Sequence, residues 1–220
     1  MKQIEVLPQI IYEFQADPKI TALGVELLKK EKLIHQEHST TYQISGMTED
    51  SRLNLRPEYA PIMNWILACL DEVKIARNLQ CDRIDITQSW GVVTTYNTHQ
   101  PRHFHTNSYI SGVLYLTDSP TGTTLYQNSI WELENHPLVT VRSMDDSREI
   151  THKVRAKAGT LSLFPSNLEH EVRPSKDFND RYSLVVNTFP AGRIGHYRSF
   201  NGMEIAVSYT HLRAHETSQN

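Results

Sequence analysis

The stretch that decides the fold is Arg181–Phe189, with the sequence Arg-Tyr-Ser-Leu-Val-Val-Asn-Thr-Phe. It is rich in β-branched and aromatic residues, which favour strands, and turn-forming residues precede it. From Arg83 onward the same pattern recurs without intervening helices, which indicates an antiparallel sandwich or barrel. The other predicted strands are Arg83–Ser89, Val92–Tyr96, Tyr109–Leu116, Thr123–Gln127, Leu138–Arg142, Ile150–Arg155, Thr160–Phe164 and His170–Arg173.

The first third of the chain carries helical patterns instead. Asp17 followed by Pro18 is a typical helix start, because aspartate caps the first free amides and proline suits the first turn. A second helix is predicted from about Pro61, with an apolar face at helical spacing. Between the helices, a polar and irregular stretch runs from His35 to about Arg56. Two helices ahead of about eight strands fit a mainly β jelly roll with helical support on one sheet.

Length and composition fit one globular domain of 220 residues. We predict a single domain over residues 1–206, with a helical part at 1–82 and a jelly-roll core at 83–190. Residues 207–220 show no pattern that links them to this fold, and we predict a non-native or disordered tail there. We therefore leave His211 and His215 out of the site.

The formal net charge of −3 gives no basic field for nucleic acid or an acidic membrane surface. The two cysteines, Cys69 and Cys81, fit reduced thiols better than a disulfide framework or a zinc site. No stretch has transmembrane length, and the first 30 residues lack the pattern of a signal peptide. We expect a cytoplasmic protein, or one in the host cytoplasm if a phage encodes it. The sequence leaves the oligomeric state open.

His103 and His105 form a candidate metal motif just ahead of a strong strand. Two residues at this spacing on a strand point to the same face, where a third histidine would complete a facial site of the kind used by redox iron. A His-x-His pair alone is weak support, because the chain has 11 histidines.

A second motif strengthens the first. His170 follows the predicted strand Thr160–Phe164, and Arg181 and Ser183 lie on one face of the next strand. His170 would close the triad, and the arginine would bind a carboxylate of an organic co-substrate through two parallel hydrogen bonds. The alternative is a surface histidine with Arg181 paired to Asp177 or Asp180.

These motifs resemble the Fe(II)- and 2-oxoglutarate-dependent oxygenases, and more narrowly a branch common in phages and marine bacteria. The resemblance runs from about Trp90 to Asn187 and rests on Trp90, His103-x-His105 with Asn107-Ser108, Ser111–Leu116, Gly159–Ser166, His170 and Arg181-Tyr182-Ser183. It implies a double-stranded β-helix core and a dioxygenase that hydroxylates an unidentified small-molecule or peptidyl substrate, with release of succinate and CO₂. It also implies that His103, His105 and His170 bind Fe(II), while Arg181, Ser183 and Tyr115 bind 2-oxoglutarate.

The chain departs from the family at one position. The usual first motif ends in aspartate or glutamate, whereas His105 is a neutral ligand. The metal would keep one more positive charge, which favours binding of the 2-oxoglutarate dianion.

Two alternatives remain. The first is a cupin-type metalloenzyme that does not use 2-oxoglutarate. Such a site normally has a glutamate soon after His-x-His, and residues 106–115 contain none. The second is a non-catalytic jelly-roll protein with a binding or structural role, since a fold alone does not define a function.

Overall fold

The strand that begins at Arg181 lies at the centre of the larger of two sheets in the computed structural model, which describes residues 10–34, 43–126, 151–196, 198 and 200–205. The strands are β1 (Tyr12–Gln15), β2 (Leu33–Ile34), β3 (Gln43–Ile44), β4 (Gly46–Thr48), β5 (Cys81–Thr94), β6 (Thr98–His103), β7 (Ile110–Tyr115), β8 (Thr124–Tyr126), β9 (Thr151–Lys153), β10 (Thr160–Pro165), β11 (His170–Val172), β12 (Arg181–Ile194) and β13 (Met203–Ile205). The helices are α1 (Pro18–Leu28) and α2 (Ala60–Ala76), and two short 3-10 turns at Leu53–Leu55 and Pro57–Tyr59 precede α2.

The larger sheet has the order β1-β10-β7-β12-β5-β4-β2, and β13 also pairs with β12. The smaller sheet has the order β3-β6-β11-β8-β9. Apolar side chains from the two sheets pack in one cluster, to which β7 contributes Val113 and β8 contributes Leu125. The predicted jelly roll is confirmed: two mainly antiparallel sheets enclose a common interior.

The two predicted helices cover the outer face of the larger sheet. Asp17 caps α1 by accepting a hydrogen bond from the Lys19 amide at 2.8 Å, and Pro18 is the first helical residue. The buried face of α2 packs with the outward residues of β5, β7, β10 and β12 in a second core cluster. This cluster lies behind the sheet whose inner face holds part of the site.

The N-terminal third is not purely helical, contrary to the prediction for residues 1–82. It also supplies β1, β2, β3 and β4. β1 adds an edge to β10, β4 pairs with β5, and β3 pairs in parallel with β6. These strands are two to four residues long, so they lack the length over which an alternating pattern becomes recognisable.

β5 is one continuous strand of 14 residues, where two strands, Arg83–Ser89 and Val92–Tyr96, were predicted. Gly91 at the predicted break is not in a turn. A Cβ atom on Gly91 would lie 2.3 Å from Leu28 Cδ2 and 3.0 Å from Thr48 Cγ2. The glycine therefore permits close packing of α1 on the sheet, which sequence alone does not distinguish from a chain reversal.

β6 was not predicted, because its sequence is polar and contains Pro101. Pairing with β3 and β11 makes it a strand, with a register shift between His170 and Val172 on the facing strand. Proline is tolerated at such an irregularity, because no ladder hydrogen bond from its nitrogen is needed.

Two predictions lie outside the described residues: the strand Leu138–Arg142 and the tail 207–220. The single-domain boundaries likewise stay a prediction. Among the helices that the structure describes, none is long and apolar enough to cross a membrane.

Candidate active site

The smaller sheet and the turn beyond it bring three distant histidines together. His103 ends β6 and lies opposite His170, which begins β11. His105 lies two residues beyond β6, where its backbone N–H donates to the Ser166 carbonyl at 2.9 Å. Phe104 between them is 54% exposed, so the two histidines turn inward while the residue between them faces out.

Each imidazole is oriented by a hydrogen bond from its Nδ1 atom. His103 Nδ1 donates to the Pro101 carbonyl at 2.7 Å, and His170 Nδ1 donates to the Leu168 carbonyl at 2.9 Å. His105 Nδ1 donates to Asn187 Oδ1. Because an oxygen acceptor requires the proton on Nδ1, the Nε2 atom of each ring carries the lone pair.

These Nε2 atoms face a common point. The His103 and His105 Nε2 atoms are 3.3 Å apart, and one ligand atom from each of the three histidines lies within 4.8 Å of the others. Three imidazole nitrogens whose other nitrogens are hydrogen-bonded form a suitable donor set for a first-row metal such as iron. The predicted triad is thus assembled, and its donor set fits Fe(II).

The surroundings favour neutral imidazoles. Burial lowers the pKa of His170 to about 3, with a smaller contribution from neighbouring His103. Burial also lowers the pKa of His105, against an opposing effect of its hydrogen bond to Asn187. Phe164 packs edge-on against His170 at a centroid distance of 4.9 Å, and Trp90 lies 5.7 Å from His105. Unprotonated rings are the form that a metal requires.

Arg181 lies in the same interior and is only 2% exposed. Its Nη2 donates to Thr94 Oγ1 at 2.8 Å, its Nη1 donates to the Thr121 carbonyl, and its Nε has no hydrogen-bond partner among the residues that the structure describes. Burial lowers the pKa of its guanidinium, which nevertheless stays charged in proteins. Neither Asp177 nor Asp180 pairs with it among the described ion pairs, so the alternative of a surface pair is not found. A buried, uncompensated cation is costly and suits an anionic ligand.

Ser183 and Tyr115 are paired in register on β12 and β7, beside Arg181. The Ser183 hydroxyl donates to the Val92 carbonyl at 3.4 Å, a long contact that leaves it available to a ligand. The Tyr115 ring lies 5.7 Å from the guanidinium carbon of Arg181. Its hydroxyl donates to Thr123 Oγ1 at 2.6 Å and accepts from the Thr123 amide at 2.9 Å.

Every second residue of β12 faces the interior. These residues lead from the arginine toward the triad in the order Arg181, Ser183, Val185 and Asn187. Val185 pairs across the sheet with Val113, which pairs in turn with Ser162 on β10. Ser162 is 1% exposed, and within the described part of the chain its hydroxyl has no hydrogen-bond partner. Unpaired buried polar groups are rare in proteins; two of them, Ser162 Oγ and Arg181 Nε, therefore lie in this interior.

Sequence reasoning missed Asn187, Ser111, Thr94 and Thr121 as functional neighbours. Asn187 had a detectable signal, because it lies on the same face of the predicted strand as Arg181 and Ser183 and is a polar residue there. Thr94 and Thr121 contact Arg181 from separate elements, and no spacing rule connects them to it.

Comparison with protein families identifies the region that carries the site. The model of the family described as "Putative 2OG-Fe(II) oxygenase" matches residues 88–187. This range includes the three histidines and Arg181. No curated protein sequence matches the chain.

Solved structures share the fold at low sequence identity. The α-ketoglutarate-dependent carbocyclase SnoK from nogalamycin biosynthesis has a TM-score of 0.63 at 13% identity, with 91% of this chain and 90% of SnoK covered. The epimerase SnoN from the same biosynthesis has a TM-score of 0.64 at 10% identity, with 84% and 80% covered. A Pseudomonas putida prolyl-4-hydroxylase has a TM-score of 0.55 at 19% identity, with 84% and 94% covered.

The family match and the assembled site agree with each other. The family's description names Fe(II) and 2-oxoglutarate, and the three histidines fit the metal. Residues 88–187 of this chain are thus similar to the 2OG-Fe(II) oxygenase family.

Proposed function

We propose that the protein is an Fe(II)- and 2-oxoglutarate-dependent hydroxylase that acts on a small-molecule or peptidyl substrate. The observation that carries the proposal is the pairing, in one barrel interior, of three converging imidazoles with a buried arginine that has no carboxylate partner among the described residues. The first fits a metal cation, and the second fits a carboxylate.

His103, His105 and His170 would hold the metal through Nε2, and their Nδ1 hydrogen bonds keep the rings in the required orientation. Bound iron would supply the oxidation chemistry that couples decarboxylation of 2-oxoglutarate to attack on a substrate C–H bond. The protein contributes fixed ligands and a largely apolar interior from which Phe164, Trp90 and Val185 exclude water.

Arg181 would bind the far carboxylate of 2-oxoglutarate, and Ser183 would donate a hydrogen bond to it. The guanidinium is already held by Thr94 and the Thr121 carbonyl, so little rotamer entropy is lost when the anion binds. Tyr115 supports the cation with its ring face. With neutral histidines, Fe(II) and Arg181 together present three positive charges to a dianion, which favours its binding.

Hydroxylation is the finer part of the proposal. The solved structures that share this fold include an epimerase and a carbocyclase as well as a prolyl-4-hydroxylase. Product mass distinguishes the outcomes, because hydroxylation adds one oxygen atom, epimerisation leaves the mass unchanged and ring closure by oxidation removes two hydrogens.

The direct test needs no known substrate. Anaerobic protein with Fe(II) and 2-oxoglutarate is expected to show a weak visible charge-transfer band and, after exposure to air, slow uncoupled release of succinate. A folded protein that binds Fe(II) but shows neither signal would favour the cupin-type alternative. A folded protein that binds no metal would favour a non-catalytic jelly roll.

A further inference from the structure

The three histidines are not held in the same way. His103 and His170 each donate to a backbone carbonyl two residues away in the chain, so their orientation follows from the local backbone. His105 Nδ1 is held by side chains instead: it donates to the amide oxygen of Asn187, 82 residues away, and the Ser111 hydroxyl oxygen lies 3.0 Å from the same nitrogen. Its orientation therefore depends on side chains that substitution can remove.

Asn187 is itself firmly placed. It is 6% exposed and points inward from β12, at the level where Ser111 pairs with it across the sheet. The Ser111 hydroxyl donates to the same amide oxygen at 3.0 Å, and the Asn187 Nδ2 atom lies 3.4 Å from Gln88 Oε1. With its oxygen toward two donors and its nitrogen toward an acceptor, the amide has one favourable orientation.

A buried group of serines supports this arrangement. The Ser111 and Ser166 hydroxyl oxygens are 2.8 Å apart, and Ser166 lies 2.8 Å from Ser108. The Ser166 carbonyl also accepts the backbone N–H of His105. Backbone and side chain of His105 are thus tied to the same group of residues.

We propose that Asn187 is the positioning residue for His105: its amide oxygen holds Nδ1–H, and so directs Nε2 to the metal. The proposal rests on the function proposed above and adds the device that lets a histidine replace the family's carboxylate ligand. A carboxylate binds a metal through either oxygen, whereas an imidazole must present one particular nitrogen and needs a partner on the other.

The experiment compares three variants with the wild type. Asn187→Leu removes the acceptor at similar size, and Asn187→Asp keeps an acceptor and adds a charge. Thr188→Val is the matched control, because Thr188 is the next residue on β12, is fully buried, and donates a side-chain hydrogen bond to the Ile110 carbonyl at 2.7 Å. Co(II) serves as the probe, with affinity measured by calorimetry and ring N–H protons observed by paramagnetic NMR.

In the wild type, we expect three shifted, exchangeable resonances from the three Nδ1–H groups. Asn187→Leu is expected to weaken Co(II) binding roughly 10- to 100-fold, as loss of a partner to a ligating histidine does. It should also remove or broaden one of the three resonances through faster exchange. Asn187→Asp should restore the third resonance and increase the Co(II)-induced rise in melting temperature, and Thr188→Val should match the wild type.

The outcomes separate the two proposals. Wild-type protein that binds no Co(II) overturns the proposed function and the positioning role together. Asn187→Leu protein that retains wild-type affinity and three protected resonances overturns the positioning role alone. If the leucine variant does not fold, Asn187→Asp provides the test: a Co(II)-induced rise in melting temperature no larger than that of the wild type would overturn the proposal.

Discussion

At one end of the barrel interior, ligand nitrogens of three imidazoles lie within 4.8 Å of one another, and burial lowers the pKa of two of these imidazoles, His105 and His170. At the other end, Arg181 is a permanent cation with almost no exposure, and its Nε has no hydrogen-bond partner among the described residues. The triad comes from the smaller sheet and the turn beyond it, whereas the arginine belongs to the central strand of the larger sheet. One end thus suits a cation and the other an anion, and because they lie on different elements each can be changed separately.

The largest expected effect is at the histidine end. His105→Ala should lower the affinity for Ni(II) or Co(II) at least roughly 100-fold, because two imidazoles hold a metal far less tightly than three. Calorimetry measures the loss. His152→Ala removes an exposed histidine outside the triad and should bind metal normally; equal loss in both variants would contradict the assignment of His105.

The arginine end should respond differently. Arg181→Met is expected to weaken 2-oxoglutarate binding roughly 10- to 100-fold, since a charge-assisted hydrogen bond contributes about 1.5–3 kcal/mol, while metal binding persists. Titration of the charge-transfer band measures the change.

Arg181→Met also tests, in the metal-free protein, whether the buried charge of Arg181 destabilises the fold. Replacing an uncompensated buried charge by an apolar side chain is neutral or stabilising, so the melting temperature should not fall. Arg83→Met, which removes a partly buried ion pair with Asp85 outside the site, should leave 2-oxoglutarate affinity unchanged. Loss of metal and 2-oxoglutarate binding together in Arg181→Met would show that the two ends are not independent.

The pH dependence of stability provides a finer test of the histidine end. The pKa of His170 is lowered to about 3 in the folded protein, against roughly 6.5 when unfolded. Between these pH values the unfolded chain binds one more proton than the folded protein. The contribution of neutral His170 to the free energy of unfolding is therefore fully present above about pH 6.5 and is lost as the pH falls toward 3.

His170→Asn removes this titration but keeps a donor for the Leu168 carbonyl. When the pH is lowered from 7.5 to 5, apo wild type should therefore lose about 2 kcal/mol more unfolding free energy than the variant does. Urea denaturation of both proteins at both pH values measures this difference in unfolding free energy. A constant difference between the two proteins would mean that His170 is not kept neutral by burial.

The smallest expected effect concerns Tyr115. Tyr115→Phe loses two hydrogen bonds to Thr123 but keeps the ring beneath Arg181. We expect about 1–2 kcal/mol lower unfolding free energy and less than a threefold change in 2-oxoglutarate affinity. Tyr115→Leu removes the ring as well and should weaken 2-oxoglutarate binding further; a large effect of phenylalanine alone would mean that the hydroxyl contacts the ligand.

Long alternating strands could be predicted from local sequence, because each of Tyr109–Leu116, Thr160–Phe164 and Arg181–Phe189 carries its own pattern. Short strands such as β3 and β4 could not, since they are strands only through their partners. Gly91 and Pro101 misled prediction for the same reason: close packing and an irregular register explain them, and both arise from other parts of the chain.

The sequence by itself determined the kinds of groups at the site and their order along the chain: His103, His105, His170, Arg181 and Ser183. Only the tertiary structure decided that the imidazole nitrogens converge, that Arg181 is buried, and that Asn187 hydrogen-bonds to His105. The physical reason is that residue type fixes donors, acceptors and charge, whereas orientation and burial depend on contacts between strands far apart in sequence.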